Sequence, residues 1–151
     1  MSFFDAVVSG FKNCFVFRGR SSRSEFWWFF LFSIMTCLIV LNFSFENLNK
    51  ELSKSDINDV SSVLRTLLSS WFGVALLITY VPQIALSVRR FHDINKSGWW
   101  FFGLQIVPSV LPQALSFIGI ITLFAYLYFM CEKGGDENQY GINPLKDKES
   151  V

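Results

Sequence analysis

The sequence has few of the residues that build metal sites or disulfide frameworks. It contains one histidine, His92, and three widely separated cysteines, Cys14, Cys37 and Cys131. A structural zinc site needs four clustered ligands, commonly supplied by Cys-x-x-Cys pairs, and the sequence contains no such pair. We therefore predict no metal and no cofactor, and we interpret the cysteines as small apolar side chains.

Charge is also scarce. Only 17% of the residues are charged, against about 25% in average soluble domains. The net charge is +1, and the basic residues flank apolar runs instead of covering one surface, so we do not expect a nucleic-acid partner. Hydrophobic residues make up 52% of the chain and include 18 phenylalanines. The apolar residues are concentrated in runs, which indicates a membrane protein.

Two of these runs have the length of a membrane span. Residues 26–45 and 67–88 contain no charged side chain. A helix of about 20 residues crosses a hydrocarbon core of about 30 Å. A cleaved signal peptide would be shorter and closer to the N-terminus. The sequence therefore predicts transmembrane helices over about 26–45 and 67–88.

A third uncharged run, residues 98–131, is too long for one span. One helix from Trp99 to Met130 would measure about 48 Å. Pro108 and Pro112 lie near its middle, where proline interrupts a helix. We predict two short helices, about 99–111 and 115–131, joined as a proline-containing hairpin. Two full spans and a re-entrant hairpin remain alternatives.

The distribution of lysine and arginine predicts the orientation, because cytoplasmic loops carry an excess of these residues. Ten basic residues flank the predicted spans on one side: Lys12, Arg18, Arg20, Arg23, Arg89, Arg90, Lys96, Lys133, Lys146 and Lys148. The segment 46–66 on the other side has three basic residues and four acidic ones. We therefore expect both termini in the cytoplasm.

The N-terminal segment predicts a different kind of helix. Its apolar residues recur at three- and four-residue steps: Phe3, Phe4, Val7, Val8, Phe11, Cys14 and Phe15. This spacing predicts an amphipathic helix lying in the membrane interface. The predicted fold is therefore an all-α, polytopic helical membrane protein with four spans. It forms a single membrane domain over 1–145, followed by a disordered cytoplasmic tail over 146–151.

Two polar segments interrupt the apolar pattern on the predicted cytoplasmic side. Their candidate site residues are Arg20, Arg23, Glu25, Arg89, Arg90, His92, Asp93 and Ser97. Three interpretations are open. The arginines fix the orientation only; or Glu25 and Asp93 pair with arginines of the other segment; or the arginines bind a phosphate, such as an anionic lipid head group. In the third interpretation Ser97 caps the helix that follows it and His92 tunes the charge.

The sequence offers no evident catalytic machinery. It contains no nucleophile with an adjacent base and no phosphate-binding glycine loop. The predicted spans carry no charge, which disfavours an ion pump. The leading hypothesis is a non-enzymatic interaction or regulatory membrane subunit. The alternative is an anionic-lipid-binding or lipid-transporting protein, and an enzyme acting on a lipid head group is weaker. The expected partners are the lipid bilayer, an anionic phospholipid, another membrane protein, or a second copy in a homo-oligomer.

These polar segments, with a third near the C-terminus, resemble the bacterial membrane proteins grouped as domain of unknown function 805. The matching residues are Phe17, Gly19, Arg20, Arg23, Glu25, Phe26 and Trp27; then Arg89, Arg90, His92, Asp93, Ser97, Gly98, Trp99 and Trp100; then Asn138, Tyr140, Gly141 and Pro144. Phe91, Asn95 and Ile142 depart from the usual pattern. The resemblance implies a bacterial inner-membrane location and a multi-span helical fold, and it implies no activity.

Overall fold

The computed structural model of the chain describes residues 1–54, 71–110 and 117–141. Within these ranges it contains five helices and no strand: α1 (Phe3–Lys12), α2 (Arg23–Lys54), α3 (Trp71–Asp93), α4 (Trp99–Val110) and α5 (Phe117–Cys131). The predicted all-α class is therefore confirmed. The predicted tail over 146–151 and the predicted turn at Pro112 lie outside the described residues.

The chain forms two compact units. One unit combines Met1–Phe29 with Pro82–Val151, and the other is Phe30–Val81. The first unit contains α1, α4, α5, the start of α2 and the end of α3. Every candidate site residue lies in this first unit.

Among the helices of the described residues, two are long and apolar enough to cross a membrane. They are α2, over Arg23–Phe43, and α3, over Gly73–Asp93. Only 11% of the α2 window is buried, against 61% of the α3 window. The apolar side chains of α2 are therefore largely exposed, which is unfavourable in water and favourable in lipid. Most residues of the α3 window are instead buried within the protein.

The helix α2 is longer than the sequence predicted. It continues to Lys54, so residues 46–54, which lie beyond the predicted span over 26–45, are helical. Glutamate, leucine and lysine recur in this stretch, and all three are good helix formers. A helix can therefore extend past an apolar run, and the end of the run did not predict the end of the helix.

The helix α3 also extends beyond its predicted end, from residue 88 to Asp93. It stops where Asn95 adopts a left-handed backbone conformation with φ of 58°. The Lys96 N–H donates to the Phe91 carbonyl at 2.8 Å, and the Asn95 N–H donates to the His92 carbonyl at 3.0 Å. This pair of bonds is the Schellman ending, which favours glycine or asparagine at the left-handed position. The polar residues from Arg89 to Asp93 therefore lie on the last helical turns.

The N-terminal helix α1 begins with a capping box. The Ser2 hydroxyl accepts from the Asp5 N–H, and the Asp5 carboxylate accepts from the Ser2 N–H. Its buried residues are the small Ala6 and Gly10. A methyl group at Gly10 would overlap the Phe29 ring, so glycine permits this close approach of α1 to α2.

The helices α4 and α5 pack against each other. They have 12 and 15 residues, so they measure about 18 and 22 Å, less than the roughly 30 Å of a hydrocarbon core. Their positions agree with the predicted pair, 99–111 and 115–131, to within two residues.

Candidate functional site

Three helix ends meet at the candidate site. The Ser21 N–H donates to the Arg89 carbonyl at 3.3 Å, and the Ser21 hydroxyl donates to the Leu86 carbonyl at 3.1 Å. These bonds join the start of α2 to the end of α3. Arg90 Nε donates to the Met130 carbonyl at 3.3 Å, which joins the end of α3 to the end of α5. The two polar segments of the sequence are therefore adjacent in the fold.

The Asp93 carboxylate lies between two arginines. Its Oδ1 atom accepts from Arg20 Nε at 2.8 Å, and Arg20 Nη2 is also 2.8 Å away. Its Oδ2 atom pairs with Arg90 Nη1. All three side chains are buried: Arg20 is 1% exposed, Asp93 is 5% exposed and Arg90 is 0% exposed. Buried charges require partners, and one carboxylate serves both cations here. We call these three residues the Asp93 network.

Arg20 uses all of its hydrogen-bond donors within the protein. A guanidinium carries five N–H groups. Beyond the Asp93 carboxylate, Nη1 donates to the carbonyls of Asp136 at 2.5 Å and Gly141 at 3.0 Å. Nη2 donates to the Gly135 carbonyl at 2.6 Å and reaches the Asp93 carbonyl at 3.4 Å. An external anion could bind Arg20 only by displacing one of these acceptors.

Arg90 stabilises the end of α5. The last carbonyls of a helix have no partner within the helix and carry partial negative charge. Besides Met130, Arg90 bonds the Glu132 carbonyl through Nη2. Arg23, which is exposed, reaches the Cys131 carbonyl with Nη1 at 3.5 Å. Two arginines from different polar segments therefore contact the same helix end.

The chain after α5 folds back over the Asp93 network. We call residues 132–141 the C-terminal segment. Asn138 Nδ2 donates to the His92 carbonyl at 2.9 Å, and the Tyr140 ring stacks on His92 at 3.9 Å with an interplanar angle of 5°. A methyl group at Gly134 would overlap the Asp93 carboxylate, so this close approach requires glycine.

His92 therefore lies between the first polar segment and the C-terminal segment. Its Nδ1 atom is 3.2 Å from the Gly19 carbonyl. Since a carbonyl only accepts hydrogen bonds, Nδ1 must carry the proton for this bond to form. Gly19 turns the chain here with φ of +87°, a conformation that other residues rarely adopt. Within the described residues the contacts of His92 hold neighbouring segments together.

Glu25 and Arg89 form a second, looser pair. Arg89 Nη1 is 3.9 Å from Glu25 Oε1, and the Ser9 hydroxyl donates to that same oxygen at 2.7 Å. The Arg89 and Glu25 side chains are 7% and 9% exposed. Within the described part of the chain, Arg89 Nε and Nη2 have no hydrogen-bond partner. Each carboxylate thus pairs with an arginine of the other polar segment, as the second interpretation predicted.

Ser97 lies apart from both ion-pair groups. Its hydroxyl accepts from the Trp99 N–H at 3.4 Å, at the start of α4.

Sequence reasoning did not find three residues that contact Arg20. Gly135, Asp136 and Gly141 accept its hydrogen bonds through their backbone carbonyls. The only signal for these contacts in the sequence is the content of glycine and asparagine in residues 134–141, which favours turns.

Comparison with known proteins identifies the family. The family described as "Protein of unknown function (DUF805)" matches residues 14–142, which is most of the chain. The chain belongs to the DUF805 family. The three segments that carried the resemblance in the sequence meet at the Asp93 network of this family member. They contribute Arg20, Asp93 and Gly141, respectively.

This DUF805 chain is similar to two inner membrane proteins of Escherichia coli (strain K12). It is 32% identical to inner membrane protein YhaI over 138 residues, covering 91% of this chain and 92% of YhaI. It is 29% identical to inner membrane protein YhaH over 141 residues, covering 93% of this chain and 96% of YhaH. No solved structure matches. The names of these relatives support a bacterial inner-membrane location for this family member.

Proposed function

We propose that this DUF805 chain is a multi-pass inner-membrane protein with both termini in the cytoplasm. In this arrangement α2 and α3 cross the membrane, and α4 and α5 form a short hairpin that enters and leaves on the cytoplasmic side. The proposal is supported by contacts that bring the ends of these helices together. Ser21 bonds the end of α3, Arg90 bonds the end of α5, and Lys96 lies 5.1 Å from the Phe129 ring. Basic residues crowd this common end, as expected on the cytoplasmic side.

We place α1 in the cytoplasmic interface of the same membrane. Its buried face is made of small residues, while Phe4 and Val8 are 77% and 65% exposed. Exposed apolar side chains on an amphipathic helix are stabilised when they enter the acyl boundary of a bilayer.

Cysteine labelling tests this orientation. In a variant without the native cysteines, single cysteines at the exposed positions Ser53 and Gln139 mark the far end of α2 and the C-terminal segment. We expect a membrane-impermeant maleimide to label S53C in spheroplasts, and to label Q139C only after the membrane is permeabilised. The reverse labelling pattern would show that the orientation is wrong.

We further propose that the protein is a non-enzymatic interaction or regulatory subunit that presents its C-terminal segment to another membrane protein. The observation that carries this proposal is that Arg20 donates to three carbonyls of the segment, those of Gly135, Asp136 and Gly141. Its remaining N–H groups bond Asp93, so no donor is left for a ligand. Contact with a phosphate would require breaking one of these bonds, so a structural role for Arg20 is favoured. Glu137 and Gln139 remain exposed on the segment, at fixed positions where a partner can contact them.

Site-specific crosslinking in living cells tests the interaction. A photo-crosslinking amino acid at position Gln139 is expected to give one adduct of defined mass with a membrane protein. Arg20→Gln should abolish this adduct, because it releases the segment without removing the exposed side chains. The matched variant Arg18→Gln changes a neighbouring arginine that makes no contact with the segment's carbonyls, and it should retain the adduct.

Two outcomes would contradict the interaction proposal. One is a diffuse set of adducts with many proteins. The other is an adduct that persists at the same yield in Arg20→Gln, since the held conformation would then be irrelevant to partner binding.

A further inference from the structure

An open groove of about 460 Å³ lies beside the Asp93 network. We call it the Arg18 groove. Its walls come from the chain before α2 (Phe17 and Arg18), the end of α3 (His92), the start of α4 (Ser97 and Trp99) and Tyr140. The segments that meet at the Asp93 network therefore also line this groove.

The polar end of the groove is positively charged. Arg18 is exposed, and among residues 1–54, 71–110 and 117–141 its guanidinium makes no hydrogen bond or ion pair. In this it differs from Arg20 and Arg90, whose donors are occupied by protein acceptors. The residues that line the groove include no aspartate or glutamate. Ser97 adds a hydroxyl group to the same lining.

The other end of the groove is apolar and continues along α4. Trp99 and Phe102 line it and are 78% and 36% exposed. They are three residues apart on α4, and Ile106, four residues further and 53% exposed, continues the same side of the helix. If α4 enters the bilayer as proposed, this stripe leads from the interface towards the acyl chains.

We propose that the Arg18 groove binds one anionic phospholipid. The phosphate pairs with Arg18 and accepts from Ser97, and an acyl chain lies along Trp99, Phe102 and Ile106. Arginine presents donors that match phosphate geometry, and aromatic side chains suit the boundary between head group and acyl chain. A free phosphate would use only the polar end and would leave the apolar stripe uncovered. The inference depends on the proposed membrane location, but not on the partner of the C-terminal segment.

Native mass spectrometry of the detergent-purified protein tests this site. The probes are dioleoyl phosphatidylglycerol and dioleoyl phosphatidylcholine at equal concentration. We expect one bound phosphatidylglycerol and weaker binding of phosphatidylcholine, whose head group carries no net charge. Arg18→Gln should weaken phosphatidylglycerol binding about five-fold, the effect of one basic residue near an anionic lipid. Lys133→Gln removes an exposed charge outside the groove and should leave binding unchanged.

A second variant and a competitor separate a lipid from a free anion. Phe102→Ala should also weaken phosphatidylglycerol binding, and millimolar inorganic phosphate should not displace the lipid. Equal losses in Arg18→Gln and Lys133→Gln would overturn the proposal. Complete displacement by phosphate, with no effect of Phe102→Ala, would overturn it in favour of a free-anion site. Tryptophan fluorescence melting confirms folding, and the Gln139 adduct in Arg18→Gln reports the separate interaction proposal.

Discussion

Asp93→Asn is expected to lower the free energy of unfolding by about 3–5 kcal/mol, the effect of removing one partner from a buried ion pair. The substitution keeps the size of the side chain but leaves Arg20 and Arg90 buried without their carboxylate. Both cations then retain only carbonyl acceptors. Tryptophan fluorescence during denaturant unfolding in detergent measures the loss, since the chain contains five tryptophans.

The matched control for this variant is Glu137→Gln, which neutralises an exposed carboxylate on the C-terminal segment. Such a surface change is expected to alter the free energy of unfolding by no more than about 0.5 kcal/mol. Limited proteolysis gives a second measurement, because Asp93→Asn should expose the peptide bond after Lys133 to trypsin. If Asp93→Asn behaved like Glu137→Gln in both measurements, the Asp93 network would not stabilise the fold.

The presence of cross-segment ion pairs was predictable from the sequence, but the choice of partners was not. Glu25 and Asp93 adjoin apolar runs, so they needed a cation, and the other polar segment supplied one. Successive residues on a helix are about 100° apart. The helix α3 continues to Asp93, so Arg89 and Arg90 are both helical and point in different directions. Arg89 points towards Glu25, and Arg90 points towards the end of α5.

The acceptors of Arg20 were beyond prediction for a different reason. They are the carbonyls of Gly135, Asp136 and Gly141, and every residue type carries a carbonyl. The glycines and asparagine of residues 134–141 favour turns, but this composition does not indicate which carbonyls converge on one guanidinium. Helix class and approximate position followed from the apolar runs. The end of α3 depended instead on a Schellman ending at Asn95, outside the run.

The second large effect is expected at Glu25 and Arg89, where removing one charge should destabilise the fold and removing both charges should not. Glu25→Gln leaves Arg89 buried without a counter-charge and should destabilise the fold by about 3 kcal/mol. The double variant Glu25→Leu, Arg89→Met removes both charges and the two unpartnered Arg89 nitrogens, Nε and Nη2. Replacing a buried pair with apolar residues of similar size is often neutral or stabilising by about 1–4 kcal/mol.

Denaturant unfolding of the wild type, Glu25→Leu, Arg89→Met and the variant that combines these two substitutions measures the coupling as a double-mutant cycle, beside Glu25→Gln. Ser9→Ala is the control. The Ser9 hydroxyl donates to the same Glu25 oxygen, so every variant that replaces Glu25 with leucine also loses this hydrogen bond. Ser9→Ala measures the cost of that loss alone. If the double variant regains the stability of the wild type, the ion pair orients the two helices but contributes little to the free energy of unfolding. This outcome is expected because Arg89 Nη1 and Glu25 Oε1 are 3.9 Å apart. A double variant as unstable as Glu25→Gln would contradict this, because Arg89 would then contribute through contacts other than Glu25.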